Sequence, residues 1–158
     1  MCATAGPHRL AFPIAAVQEV LAPRTITRLF HAPQSLLGVV NLRGEILPVV
    51  DLMLLLGDAV RRAPHAPLGP EARLIVLRVR VSIDDGSQRS VPDKLASIAV
   101  LVAQLDPLRD GDVHPLPAGV PEDVAGLAIG ILTSPPSAVV VIDPNKLIDV
   151  EELARMRR

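Results

Sequence analysis

Sixteen prolines divide this chain of 158 residues into short segments, and they constrain its fold more than any other feature. Proline lacks a backbone N–H and fixes φ, so it is rarely tolerated inside a helix or a central strand. The longest stretch without proline covers residues 71–91, and Gly86 interrupts it. Long helices are therefore excluded, and short strands separated by turns remain.

The segments between the prolines are rich in Val and Ile, which is typical of half-buried or buried strands. Turn-forming pairs such as Arg43-Gly44 and Asp85-Gly86 separate them. The pattern predicts a mainly β fold, either a barrel or a sandwich. The predicted strands cover residues 9–13, 17–21, 38–42, 46–50, 73–81, 95–102, 124–131 and 138–142.

Two short helices and two loops are predicted beside the strands. Asp51 is placed to cap a helix over residues 52–56, and Asp149 is placed to cap a C-terminal helix that follows it directly. Residues 63–70 are rich in proline and residues 83–92 are polar, so both stretches are predicted to be surface loops.

The composition excludes several classes of function. The formal charge is −1, and the chain has neither Trp nor Tyr, so it lacks both the basic surface and the aromatic side chains with which proteins grip nucleic acid. A single cysteine, Cys2, excludes an internal disulfide and a cysteine-rich zinc site. No run of 18 uncharged apolar residues is present, so we expect no membrane insertion. With no visible signal peptide, the expected location is the cytoplasm.

Motifs that carry catalysis or bind cofactors are missing. There is no glycine-rich phosphate loop. The four histidines (His8, His31, His65 and His114) are scattered, and none has a second His or Cys at metal-ligand spacing. We therefore expect a protein that is not an enzyme and that holds neither a metal nor a cofactor.

The most informative stretch is residues 38–52. Locally it predicts a strand, a tight turn at Arg43 and Gly44, a returning strand, and the start of the helix capped by Asp51. Pro48 interrupts the second strand, which therefore is expected at a sheet edge or beside a bulge.

The order of residues in this stretch resembles the CheW family, the adaptor proteins of bacterial chemosensory arrays. That family shows the run Gly-Val-x-Asn-Leu-Arg-Gly-x-x-x-Pro-Val-Val-Asp-Leu, which residues 38–52 match. The family's Val-x-Glu-Val and Ile-Thr-Arg steps correspond to residues 17–20 and 26–28. The family's Val-Asp-x-Val element is missing, and residues 102–105 stand nearest to it. The chain therefore resembles a divergent member over nearly its whole length.

This resemblance implies a fold and a function. The fold is two small SH3-like five-stranded β-barrels packed together, with short helices including a C-terminal one, as one CheW-like domain over residues 1–158. The implied function is a non-enzymatic adaptor that couples the cytoplasmic tip of chemoreceptors to the regulatory domain of a CheA-type histidine kinase. Such a protein is expected in the cytoplasm at membrane-associated receptor arrays, and to be a monomer when isolated.

The resemblance also implies a partner-binding site. The family's matching Glu and Arg are Glu19 and Arg43 here, and they are expected to pair and to shape the receptor-side groove. Asn41 and Gly44 are expected to set the shape of the turn. The candidate groove wall consists of Val17, Gln18, Gly38, Val39 and Leu42.

Alternatives stay open from sequence alone. Glu19 also fits the solvent face of a strand, and Arg43 also fits an exposed turn. A divergent scaffold of a non-flagellar pathway, for example a twitching-type one, is a second function, with one interface lost. A small-ligand-binding β-barrel is a third. An enzyme needs a preorganised acid–base or metal site, which the sequence does not show.

Overall fold

The computed structural model of this chain describes residues 1–30, 32, 35–57, 69–81, 94–134 and 137–148. Within them the chain forms eleven strands and two short helices, with 3₁₀ turns at Ile14–Ala16 and Pro144–Lys146. The strands are β1 (Cys2–Ala5), β2 (His8–Ala11), β3 (Val17–Leu21), β4 (Leu36–Leu42), β5 (Glu45–Val50), β6 (Arg73–Val81), β7 (Lys94–Val102), β8 (Gln104–Asp106), β9 (Val113–His114), β10 (Ala128–Ser134) and β11 (Ser137–Ile142). The helices are α1 (Leu52–Leu55) and α2 (Glu122–Leu127).

The strands form two sheets. One has six strands in the order β8-β1-β2-β11-β10-β9, and the other has five in the order β3-β6-β7-β5-β4. Only Ala103 separates β7 from β8, although the two strands belong to different sheets. The Ala103 N–H donates to the backbone oxygen of Thr4 at 2.8 Å. The chain therefore turns from one sheet into the other at Ala103, as strands do at the corners of packed sheets.

Apolar side chains pack on both faces of the five-stranded sheet. In β6, Ile75, Leu77 and Val79 belong to a large cluster that both sheets share. Leu74 and Val76 belong to a smaller cluster on the opposite face, because successive side chains of a strand alternate. A third cluster covers the far face of the six-stranded sheet and consists of Cys2, Ala11, Leu132, Val139 and Val141.

The prediction of a mainly β chain with two packed β units is confirmed. Two closed five-stranded barrels are not seen among the described residues, since one sheet has six strands and neither sheet pairs its own edge strands. The edge strands of the six-stranded sheet are too short to close it, because β8 has three residues and β9 has two, too few for a ladder of hydrogen bonds between them. Across the other sheet, the described residues of the segment after β3 pair with β4 in one bridge, Thr27–Val39.

Pro48 lies in β5, which is an interior strand, so of the two predicted settings, a sheet edge or a bulge, the edge is not found, and the β4–β5 pairing has its bulge between Leu36 and Gly38. Its partner in β4, Val39, makes both of its backbone hydrogen bonds with Thr27, at 2.8 Å each. Val39 therefore needs no donor from position 48, whose nitrogen faces β7 instead. Pairing between β5 and β7 begins only at Val49, so the missing N–H leaves no ladder bond unmade.

Helix α2 corrects a second prediction, because residues 124–127 form helix and not strand. Pro121 precedes the helix, and Glu122 and Asp123 occupy its first turn. Negative charge there is favoured by the positive end of the helix dipole. Both helices are short, and among the described residues none has the length and the apolar run that crossing a membrane requires.

Helix α1 begins where the sequence predicts it. The Oδ1 atom of Asp51 accepts the Met53 N–H at 3.0 Å, which satisfies a donor that the helix itself leaves unpaired. Three other predictions lie outside the described residues: most of the loop at 63–70, the loop at 83–92, and the helix after Asp149 with its cap.

Candidate partner-binding site

The hairpin between β4 and β5 turns at Arg43 and Gly44. Both have positive φ, 54° for Arg43 and 91° for Gly44, as a two-residue turn of type I′ requires. Asn41 supports the turn, because its Oδ1 accepts the Gly44 N–H at 2.9 Å. Positive φ costs a non-glycine residue about 1–2 kcal/mol, so surrounding contacts hold Arg43 in this conformation.

Arg43 forms an ion pair with Glu19 in β3. Its Nη2 donates to Oε2 at 3.1 Å and its Nη1 to Oε1 at 3.4 Å, so the contact is bidentate. The side chain of Arg43 is 78% exposed and that of Glu19 is 28% exposed. An exposed pair of this kind contributes less than about 1 kcal/mol to folding. The contact therefore orders two charged groups at the surface more than it stabilises the fold.

An irregularity in β3 sets the direction of Glu19. Val17 pairs with Leu77 and Glu19 pairs with Val76, so Gln18 is an extra residue opposite β6. Leu77 belongs to the cluster between the sheets, and Val76 belongs to the cluster on the opposite face. Because paired residues share a face, Val17 and Glu19 point to opposite sides of the sheet. This bulge turns the Glu19 carboxylate toward the hairpin turn.

Gly38 allows the segment after β3 to lie directly against β4. Its φ is 147°, and a Cβ atom there would overlap the backbone oxygen of Thr27. The backbone N–H of Thr27 donates to the Val39 oxygen and the N–H of Val39 donates to the Thr27 oxygen, both at 2.8 Å. The register of β4 shifts between Leu36 and Gly38, so the bulge that the sequence allows beside Pro48 lies in the partner strand.

An open pocket on the six-stranded sheet is a second surface feature. Its volume is about 420 Å³, and its floor is the cluster that contains Cys2 and Leu132. Three exposed apolar side chains, Ile14, Leu108 and Val113, stand at its rim. The pocket and the Glu19–Arg43 pair lie on different sheets, so they are two separate surface features.

Comparison with protein families matches residues 1–152 to the CheW-like domain. The chain belongs to the CheW-like family. Among solved structures, that of the scaffolding protein TtCheW from Thermoanaerobacter tengcongensis is similar, with a TM-score of 0.71 and 21% identity. The similarity covers 96% of this chain and 87% of TtCheW, which shows a common fold.

Sequence relatives divide into local and full-length matches. Protein FrzA of Myxococcus xanthus is 39% identical over 75 residues, which are 48% of this chain and 44% of FrzA. The chemotaxis protein CheW of Rhizobium meliloti is 24% identical over 148 residues, which are 93% of this chain and 84% of that protein. The match to FrzA therefore spans less than half of FrzA's own length.

Four of the nine predicted site residues of this CheW-like chain meet at the hairpin turn. Glu19 and Arg43 form the ion pair, and Asn41 and Gly44 share the hydrogen bond that supports the turn. These contacts give the turn a defined shape and leave the Arg43 guanidinium largely exposed to solvent.

The other five residues do not form one wall. Leu42 is 6% exposed and lies in the core cluster of the five-stranded sheet. Val17 packs against the cluster on the other face, so these two side chains point away from each other. Gln18 is exposed at the β3 bulge. Gly38 and Val39 lie farther along β4, where the segment after β3 covers them.

Sequence analysis missed two features. Arg24 Nη1 donates to the Asn41 backbone oxygen at 3.4 Å, and the sequence separation of 17 hides this contact from local patterns. It also missed the pocket rim. The available signal was that Leu108 and Val113 are apolar residues in a stretch without strand periodicity, where apolar side chains have no predicted core to enter. In the part of the chain that the structure describes, no three His, Cys, Asp or Glu side chains cluster closely enough to hold a metal ion.

Proposed function

We propose that this chain is a non-enzymatic adaptor of a chemosensory array, which couples the cytoplasmic tips of chemoreceptors to the regulatory domain of a CheA-type histidine kinase. Relatives named as chemotaxis proteins support the signalling class. The observation that carries the coupling role is the pair of surfaces on different sheets, the hairpin turn and the open pocket. An adaptor needs two such surfaces, because both partners must stay bound at once.

The hairpin turn is the proposed receptor side. It presents the Arg43 guanidinium beside Glu19, and the exposed side chain of Ile46 lies opposite Asn41 on the neighbouring strand. Recognition of a helix needs an apolar contact flanked by polar groups. A receptor tip built from helices fits this combination, because its apolar residues meet Ile46 while its polar residues meet the charged pair.

The open pocket is the proposed kinase side. Its rim residues Ile14, Leu108 and Val113 are apolar and exposed, and apolar side chains that fill pockets dominate the energy of protein interfaces. Packing of a second β domain against this end of the six-stranded sheet covers all three. Arrays form when such end-to-end contacts repeat around a ring.

A paired binding experiment tests the proposal. The purified protein is titrated separately against the kinase regulatory domain and the receptor tip hairpin encoded in the same genome. Arg43→Ala is expected to weaken receptor binding at least fivefold and to leave kinase binding unchanged. Leu108→Asp is expected to do the reverse. A well-folded wild type that binds neither protein contradicts the adaptor function.

Location and oligomeric state belong to the same proposal. The adaptor is placed in the cytoplasm at membrane-associated arrays, where weak contacts add up through multivalency. On its own it is expected to elute as a monomer of 16.8 kDa, because each contact joins two different surfaces. Size-exclusion chromatography with light scattering measures this mass directly, and a stable dimer contradicts the expectation.

The volume of the pocket favours a second candidate function, which is the binding of a small ligand. About 420 Å³ lies within the range of 300–1,000 Å³ typical of small-molecule sites. A ligand that binds only the folded protein raises its melting temperature. A library of metabolites and nucleotides is therefore screened by thermal shift. A flat response, together with kinase binding, favours the adaptor over the ligand-binding domain.

A further inference from the structure

The chain has two aromatic residues in opposite environments. Phe12 is 1% exposed in the core, whereas Phe30 is 96% exposed. Leu29, directly before Phe30, is also exposed, at 39%. A large exposed aromatic next to a second exposed apolar residue is typical of an interaction surface.

Phe30 follows a segment that is fixed on β4. Thr27 exchanges two backbone hydrogen bonds with Val39, and Arg24 donates to the Asn41 backbone oxygen. The Thr27–Val39 pair is antiparallel, so Phe30 lies toward the start of β4 while the Arg43 turn lies beyond its end. Val39 lies four residues before Arg43, so at about 3.3 Å per strand residue the bridge is roughly 13 Å from the turn, and Phe30 lies three residues beyond the bridge.

The segment before Phe30 is positively charged. Arg24 and Arg28 are both exposed. In the part of the chain that the structure describes, neither guanidinium has a carboxylate within ion-pair distance, whereas Arg43 has Glu19. Two unmatched cations beside an exposed aromatic favour a partner that carries both acidic and apolar side chains.

We propose that residues 24–30 extend the site at the hairpin turn into a docking surface for one acidic, amphipathic helix of the receptor partner. Phe30 is the apolar anchor, and Arg24 and Arg28 meet the acidic side chains. This inference rests on the proposed adaptor function. A helix of four turns is about 20 Å long, so one helix is long enough to run from the Arg43 turn past the Thr27–Val39 bridge toward Phe30.

The edge of β4 favours a helix over an added strand. A strand joins a sheet edge by pairing with free backbone N–H and C=O groups. At Val39 both groups are already bonded to Thr27. The Asn41 oxygen accepts from Arg24, so an added strand has to displace contacts at both residues, whereas a helix binds through side chains.

The absence of Trp and Tyr from the sequence provides a direct test. In a Phe30→Trp variant, the introduced side chain is the only tryptophan, so its emission reports on position 30 alone. The probe is a synthetic helical hairpin with the sequence of a receptor tip from the same genome, chosen without Trp. Binding is expected to shift the emission to shorter wavelength. Binding without any shift overturns the proposal.

Affinity measurements separate this proposal from the adaptor function. Phe30→Ala is expected to weaken binding of the hairpin at least tenfold. Arg28→Ala is expected to weaken it about threefold at low salt, and less as salt screens the charge. Ile129→Ala, a change at an exposed apolar residue on the six-stranded sheet, is the control and is expected to change nothing.

Each remaining outcome decides a question. If Phe30→Ala binds within twofold of the wild type while Arg43→Ala is weakened, the docking surface is wrong and the adaptor function stands. If the wild type binds no hairpin, the docking surface and the adaptor function are both wrong. If the Phe30→Trp emission shifts with anionic phospholipid vesicles but not with the hairpin, residues 24–30 contact lipid and the helix proposal is overturned.

Discussion

Arg43 and Glu19 connect the two opposite edges of the five-stranded sheet, with Nη2 of one 3.1 Å from Oε2 of the other. Between the segment after β3 and β4, the structure also describes the Thr27–Val39 bridge and the hydrogen bond that Arg24 Nη1 donates to the Asn41 backbone oxygen. One bridge, one side-chain hydrogen bond and one bidentate ion pair thus stand where a closed barrel has a ladder. The position of the Arg43 turn therefore depends on an interaction that water can compete for.

We expect the Glu19–Arg43 pair to matter more for binding than for stability. Glu19→Gln and Arg43→Gln, each alone and together, form a double-mutant cycle measured by urea denaturation. Because the pair is exposed, the coupling energy is expected to be below about 1 kcal/mol. Receptor binding is expected to fall in all three variants.

Arg43→Lys is the matched control for this cycle. It keeps the charge and loses the planar fork that contacts both oxygens of Glu19. We expect its stability to equal that of the wild type and its receptor binding to be intermediate. A coupling energy of about 3 kcal/mol or more in the cycle means that the pair acts as a buried one, which contradicts the geometry.

Gly38 is expected to be the glycine that tolerates substitution least. Gly38→Ala combines a φ of 147° with a Cβ atom that overlaps the backbone oxygen of Thr27, and a backbone atom cannot rotate away. We expect the free energy of unfolding to fall by more than about 2 kcal/mol. Chemical denaturation measures the loss.

Two other glycines serve to separate the cost of positive φ at Gly38 from the cost of the overlap with Thr27. Gly44 has positive φ and no atom near a built Cβ, so Gly44→Ala is expected to cost only the backbone strain, about 1 kcal/mol. Gly126 lies in α2 with open space around it, so Gly126→Ala is expected to stabilise by about 0.5–1 kcal/mol. Equal losses at positions 38 and 44 rule out the overlap with Thr27 as the cause.

Features that depend on neighbouring residues could be predicted from the sequence. The hairpin turn follows from Arg43-Gly44 between two apolar strands, and the cap of α1 follows from Asp51 before an apolar run. Both are decided within about four residues of chain. The site residues at the turn, Glu19 aside, lie in that same short stretch.

Features that depend on distant pairing could not be predicted. In a regular strand Val17 and Glu19 share a face, and only the pairing of β3 with β6 shows the bulge that separates them. Pro48 suggests a sheet edge or a bulge, and only the Thr27–Val39 bridge shows why an interior strand tolerates it. In both cases the deciding partner is at least 12 residues away along the chain, so no local pattern contains it.

Asp106 is expected to stabilise the junction of the two sheets. Thr4 Oγ1 donates to it at 3.0 Å, Gln104 Nε2 donates at 3.2 Å, and Arg9 Nε lies 3.6 Å away, while the Asp106 side chain is only 10% exposed. Asp106→Ala leaves donors without an acceptor. We expect a loss of about 1–3 kcal/mol in the free energy of unfolding.

Asp106→Asn and Asp112→Ala are the comparisons for that variant. The amide of Asn keeps an acceptor oxygen at the same position, so the loss is expected to be smaller than for Ala. Asp112 is exposed, and its removal is expected to change stability by less than about 0.5 kcal/mol. If Asp106→Ala and Asp112→Ala cost the same, the three contacts of Asp106 contribute nothing measurable.

The cap of α1 leads to a prediction with a local readout. Asp51 Oδ1 accepts the Met53 N–H at 3.0 Å, and the Asp51 side chain is buried next to the shared core cluster. Asp51→Ala is expected to lower the free energy of unfolding by about 1–2 kcal/mol. Asp51→Asn keeps an acceptor and is expected to lose less. Hydrogen exchange distinguishes loss of the cap from general destabilisation, because the Met53 amide is then expected to exchange faster relative to the amides of β6. A uniform increase in exchange across both elements contradicts a capping role.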